Sequence, residues 1–249
     1  MISVSHRKII WFLSLFLLGL TLINLAGQIF GYFFDQERLE GLRQLFDVNN
    51  ENNIPTWFSA INLLFCSVLM WLIATIQQQH KKPQALYWRG LSVIFFLLSL
   101  DEASSVHELF IPIGEAFGFD GFLRFFWVVP GMFFVAVVAI IYWKFILTQP
   151  ARIRNLILTA ATVYISGAVI MEMIGGHYVG AYLQPGAFET TSGWNGMAMA
   201  LILAAEEFLE MLGILIFIYA LLLYLATEIG KVDISFKEKI SLREDLSQK

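Results

Sequence analysis

The chain has 249 residues, 58% of them apolar and only 14% charged, with a net charge of −4 and a mean hydropathy of +0.69. A soluble domain is nearer half apolar and a quarter charged, so this composition points to a polytopic membrane protein and excludes disordered, fibrous and disulfide-scaffold chains. The acidic balance gives no case for nucleic acid, and the single Cys66 permits neither an internal disulfide nor a cysteine zinc site.

A helix needs about 20 apolar residues to cross ~30 Å of hydrocarbon. Six such runs are predicted, at about 9–34, 56–77, 86–111, 122–147, 156–183 and 197–226. The first is too long for the apolar part of a signal peptide and reads as an uncleaved span. Between the first two spans, Leu39, Leu42, Leu45 and Phe46 make one apolar stripe, which predicts a short interfacial or loop helix on the outer surface. The third run is apolar until it meets Asp101, Glu102, His107 and Glu108. The fourth contains Pro130-Gly131, a predicted kink. The last contains Glu206, Glu207 and Glu210. Residues 1–8 and 227–249 read as polar ends outside the bilayer.

Orientation follows from Lys and Arg, which favour cytoplasmic loops. With the N-terminus inside, all of the 16 basic residues except Arg38, Arg43 and Arg124 fall on the cytoplasmic side. The fold expected is therefore an all-α bundle of six transmembrane helices with both termini in the cytoplasm. The tryptophans give a second test, since indole rings favour the headgroup level. Trp11, Trp57, Trp71, Trp88, Trp127, Trp143 and Trp194 all lie near a predicted span end. The location expected is a multi-pass position in the lipid bilayer, the cytoplasmic membrane if the cell is bacterial.

The residues that carry function are those a bilayer should reject. Intramembrane charge costs ~3 kcal/mol or more per group, and such groups mark ion and substrate sites. Here Asp101, Glu102, His107, Glu108, Glu172, His177, Glu206, Glu207 and Glu210 lie in or beside the spans, and no Lys or Arg lies in a span interior. Counting inward, Glu102 and Glu206 are each about ten residues below the outer rim, roughly 15 Å deep. Glu172 is at a similar level if its span continues to Leu183. Three helices thus place acids in one layer of the outer half. Glu206 and Glu210 share one helical stripe. Glu102 and His107 are separated by roughly 140° on a regular helix, as are Glu172 and His177, so convergence calls for a π-bulge or an unwound turn, which Gly175-Gly176 would permit.

Such an oxygen-rich set with imidazole suits iron, manganese or zinc. Asp101, Glu102, His107, Glu172, His177, Glu206 and Glu210 are the candidate metal ligands, with Glu207 and Glu108 as candidate catalytic acids or bases. The ligand count resembles that of ferritin-like di-metal bundles, but Ser104 and Ile174 stand where the Glu of their Glu-x-x-His motif would be. A His-Glu-x-x-His zinc motif is absent as well, because position 111 is Ile. The expected function is a metal-dependent hydrolase or oxidoreductase acting on a lipid or isoprenoid-like substrate. The alternative is a proton- or cation-coupled transporter using the same acids, for which a homodimer would supply the helices that six spans lack.

Overall fold

In the computed structural model, described for residues 5–33, 40–48, 53–182 and 194–229, the chain is helical, with no strand among those residues. Among the described residues, nine α-helices follow one another: α1 His6–Phe33, α2 Glu40–Gln44, α3 Ile54–Gln79, α4 Ala85–Ser104, α5 Ile111–Ala116, α6 Val128–Leu147, α7 Ala151–Ile165, α8 Glu172–Tyr182 and α9 Trp194–Tyr224. Wider π-turns join α7 to α8 at Ser166–Met171 and extend α9 at Leu225–Ile229. Among the described residues, five stretches are long and apolar enough to cross a membrane: α1, α3, α6, α7 with α8, and α9 with its extension. Helix α4 is as long as α6, at 20 residues, but carries Arg89, Asp101 and Glu102.

Helix α4 lies antiparallel against α3 along its length. Ser67 and Ser92 each donate to the other's backbone carbonyl at 2.8 Å, and Ser99 donates to the carbonyl of Ala60 at 2.7 Å. Small hydroxyls of this kind bond helices where no water competes. Helix α9 is the central element, packed against α1, α3, α7 and the π-turn.

The largest apolar core occupies the end of the bundle where the short connections after α3 and α6 lie. It joins Met70 and Ile73 of α3, Trp88 of α4, Phe145 of α6, Ile157 of α7 and Ile218 and Leu221 of α9. A smaller cluster, Leu17, Leu20, Phe58, Met211 and Leu215, seats α1 on α9. The acidic residues lie toward the other end.

Several sequence expectations change in detail. Trp88 is fully buried against Phe145 and Tyr224, so it is a core residue and not part of a headgroup belt. The run at 122–147 begins as a helix only at Val128, after a single turn at Gly121–Leu123. Pro130 then falls in the first turn of α6, where a missing N–H has no intrahelical partner to lose, so it starts the helix rather than kinking it.

The stripe expected between the first two spans is helical at Glu40–Gln44. Its neighbour Asp47 is buried and accepts from Gln28 Nε2 of α1 at 2.7 Å, with Arg43 3.6 Å away. Asn53 caps α3 by accepting from the Thr56 N–H and donates to the Asp47 carbonyl. A buried Asn24–Gln28 stripe thus anchors the connection between α1 and α3 onto α1. Between the predicted spans at 156–183 and 197–226, residues 183–193 lie outside the described residues.

Candidate functional site: an intramembrane carboxyl layer

Helix α4 stops just after its two acids. Ser105 adopts a left-handed conformation, φ 52° and ψ 38°, and its N–H closes on the Asp101 carbonyl at 2.7 Å. That geometry costs a non-glycine residue on the order of 1 kcal/mol or more. Two bonds offset it. The His107 N–H donates to Asp101 Oδ1 at 2.8 Å, and His107 Nδ1 lies 3.0 Å from Asp101 Oδ2. The unwound turn therefore folds His107 back onto the helix end, and the pair stays about a third exposed. Asp101, not Glu102, is the partner that the turn brings to His107.

The second irregularity is the π-turn Ser166–Met171, which delivers Glu172 at the start of α8. It precedes Glu172, whereas the sequence placed the irregular turn at Gly175-Gly176. A π-turn shifts the helical face that follows it, which re-aims Glu172 relative to the register of α7. Glu172 accepts from the indole N–H of Trp127 at 2.7 Å. Its carboxyl also meets that of Glu206 at hydrogen-bonding range. Glu206 is only 8% exposed, and its Oε2 has no donor. A carboxylate only accepts, so this contact is a hydrogen bond when one of the two groups holds a proton and an uncompensated approach when neither does.

One turn further along α9, Glu210 is hydrogen-bonded to the Tyr164 hydroxyl. Tyr164, in the last turn of α7, also lies within electrostatic reach of Glu102, Asp101 and Glu207. Its backbone presses on α9 at Gly213, where an added Cβ would sit 2.7 Å from the Tyr164 nitrogen. The acids thus form a linked series. The partly exposed Asp101–His107 pair leads by way of the Trp127 ring, 5.1 Å from the His107 ring, to Glu172 and Glu206, and then to Glu210 and Tyr164.

Six of the nine residues singled out from the sequence, Asp101, Glu102, His107, Glu172, Glu206 and Glu210, belong to this layer, and Glu207 lies beside Glu210. Two lie elsewhere. Glu108 is exposed in the turn after α4. His177 is exposed on α8 and stacks on Phe122 with ring centroids 4.3 Å apart, next to Asp120. Asp120 holds its carboxyl below the ordinary carboxylate range, because it accepts from the Gly121 N–H and from Arg124 at 3.0 Å.

Among the described residues, no three of His, Cys, Asp and Glu are gathered closely enough to hold a metal ion. The layer is strung out as pairs, and metal ligands must instead share one point at about 2.0–2.6 Å.

Trp127 and Tyr164 are the residues that sequence reasoning missed. Trp127 stands near a span end, where sequence position alone reads as a headgroup belt. A tyrosine inside a span carried a usable signal, since a buried hydroxyl requires a partner.

The family model described as Domain of unknown function (DUF8692) matches residues 12–225, the greater part of the chain. No curated protein and no solved structure matches it.

Proposed function

The chain belongs to the DUF8692 family, and from the geometry of its carboxyl layer we propose that it is a membrane transporter that takes up and releases protons or small cations at Glu172, Glu206 and Glu210. One observation carries this reading. Two carboxyl groups from different helices meet where one of them, Glu206, is buried with an oxygen that has no donor. Such a pair in a low dielectric is stable only with a proton or cation between the groups, and it repels when that ion leaves. A site whose occupancy changes the energy of helix contact is what coupling requires. The less buried Asp101–His107 pair supplies a route from the outer side.

The reading takes α4 as a sixth crossing, with both termini cytoplasmic. Its support is the antiparallel pairing of α4 with α3, a helix that is itself long enough to span.

The test is proton and cation flux in proteoliposomes, wild type beside Glu206→Gln. Gln keeps the shape and supplies a permanent donor to Glu172, so flux is expected to cease while folding is kept. Wild-type protein that moves neither protons nor cations under an imposed gradient sinks the proposal.

A second reading has its own support in the imidazole of His107, held by Asp101 at the edge of an oxygen-rich layer. That combination suits iron, manganese or zinc. In a metal-dependent enzyme, these pairs would have to draw together before Asp101, Glu102, His107, Glu172, Glu206 and Glu210, joined by His177, could hold one or two ions. Glu207 and Glu108 would move protons for a lipid-like substrate entering from the bilayer. Stoichiometric metal retained through detergent purification, and lost in Glu206→Gln, separates this reading from the first. Sedimentation of the purified protein tests whether either function uses a homodimer.

A further inference from the structure

We infer that Trp127 is the positioning residue of the carboxyl pair: its indole N–H sets the Glu172 carboxyl against Glu206, so that binding of a proton or cation there depends on Trp127. This rests on the binding role proposed above for the layer.

Trp127 is built to hold one orientation. It immediately precedes α6, and its ring lies over the first turn of that helix at Gly131, where an added Cβ would meet ring carbons at 3.1 and 3.2 Å. The next residue, Val128, is fully buried and fixes the backbone from which the ring projects. The ring also stands 5.1 Å from that of His107, tilted by 59°. Between these contacts, the single indole donor reaches Glu172 Oε1 at 2.7 Å. An indole can donate one hydrogen bond and accept none, whereas a carboxylate has two oxygens to offer. Trp127 therefore occupies one oxygen of Glu172 and leaves the other for Glu206 or for an ion.

The location gives the bond its consequence. Trp127 contacts both the partly exposed Asp101–His107 pair and the Glu172–Glu206 pair, of which Glu206 is buried. Glu172 begins α8 directly after the π-turn, with only that turn to set its direction from below. A donor anchored on α6 settles where the carboxyl points, and a donor to a charged group is worth more than a neutral one.

The experiment is flux through reconstituted full-length protein, comparing wild type, Trp127→Phe, Glu172→Gln and the double variant, with Trp143→Phe as the control on an exposed ring. Phe keeps the apolar ring and removes only the donor. Trp127→Phe is expected to slow flux about tenfold or more, and the double variant is expected to be no slower than Glu172→Gln alone. Trp127→Phe at the wild-type rate, or a double variant whose loss is the product of the single losses, overturns the inference while leaving the transport reading intact. Wild-type protein without flux removes the transport reading itself. The indole N–H resonances of the wild type and of Glu172→Ala supply a measurement that does not depend on the folding of the Trp127 variant. One resonance is expected to move upfield in Glu172→Ala; an unchanged set overturns the inference.

Discussion

A Cβ added at Gly167 would lie 2.7 Å from the backbone carbonyl oxygen of Glu206 and 2.8 Å from Cγ of Glu210. The π-turn that aims Glu172 is thus seated directly on the stretch of α9 that bears the other acids. Because the obstacle at Glu206 is backbone, no side-chain rotation relieves it. Gly167→Ala is expected to lower stability in detergent by about 1–3 kcal/mol from overpacking, a loss larger than the ~1 kcal/mol that Ala brings in helix propensity. Gly19, which has nothing within 4 Å of an added Cβ, is the matched control. Gly19→Ala is expected to leave the thermal midpoint unchanged or slightly higher.

The same contact shows where sequence reasoning stops. The all-helical bundle was legible because an uninterrupted apolar run has one stable form in lipid, with every backbone group satisfied internally. The layer was legible because acids at equal depth on three spans are expensive and easily counted. The irregular turns were not. Nothing in the run SGAVIM distinguishes a π-turn from an ordinary helix until Gly167 is seen against α9. The left-handed turn at Ser105, which pairs Asp101 rather than Glu102 with His107, depends on bonds formed only after the chain folds back. Trp88 and Trp127 stand near span ends, as lipid-facing belt residues would, and only helix packing reveals that one is core and the other bonds an acid.

Tyr164 offers a clean test of the inner end of the layer. Its hydroxyl bonds Glu210, while its ring and backbone pack against α9 at Gly213. Tyr164→Phe keeps the packing and removes the bond. A donor on the carboxylate stabilises its empty, charged form and competes with an incoming cation, so removing it is expected to tighten ion binding at Glu210 by about tenfold, with the thermal midpoint little changed. Isothermal titration with monovalent and divalent cations, beside a flux assay, checks both halves. Unchanged binding would show that Glu210 does not depend on this donor.

Outside the bilayer, Asp120 makes a pH prediction with a definite sign. Its carboxyl is held below the ordinary range by the Gly121 N–H and by Arg124, with His177 nearby adding to the effect. A depressed folded-state value means that the contribution is present above the unfolded value and is lost as pH falls through the folded one. The turn at Gly121–Leu123 is therefore expected to keep its order at mildly acidic pH and to loosen only below the ordinary carboxylate range. Arg124→Gln should move that loosening to higher pH. Carboxyl carbon resonances of Asp120 followed by NMR would measure it. A midpoint at the ordinary aspartate value, in the wild type, would contradict the bonds described here. Since the group is exposed, global stability is expected to change little.

The topology can be tested independently of the chemistry. Trp71 and Trp143 expose their rings near one end of the bundle, and Trp57 and Trp194 near the other, as two headgroup belts would require. Among the described residues, Arg7, Lys8, Lys81, Lys82, Arg89, Lys144, Arg152 and Arg154 then fall on the side of the connections after α3 and α6, and Arg43 and Arg124 do not. If α4 crosses the membrane beside α3, reporter fusions after Gln79 and after Gln149 should both read cytoplasmic, and one after Phe119 should read external. If α4 instead lies outside the bilayer, the connection before it and the one after it must be on the same side, so the Gln79 and Phe119 fusions would agree. That outcome would remove the sixth crossing. It would also move Asp101 and Glu102 out of the hydrocarbon, leaving Glu172, Glu206 and Glu210 as the intramembrane acids.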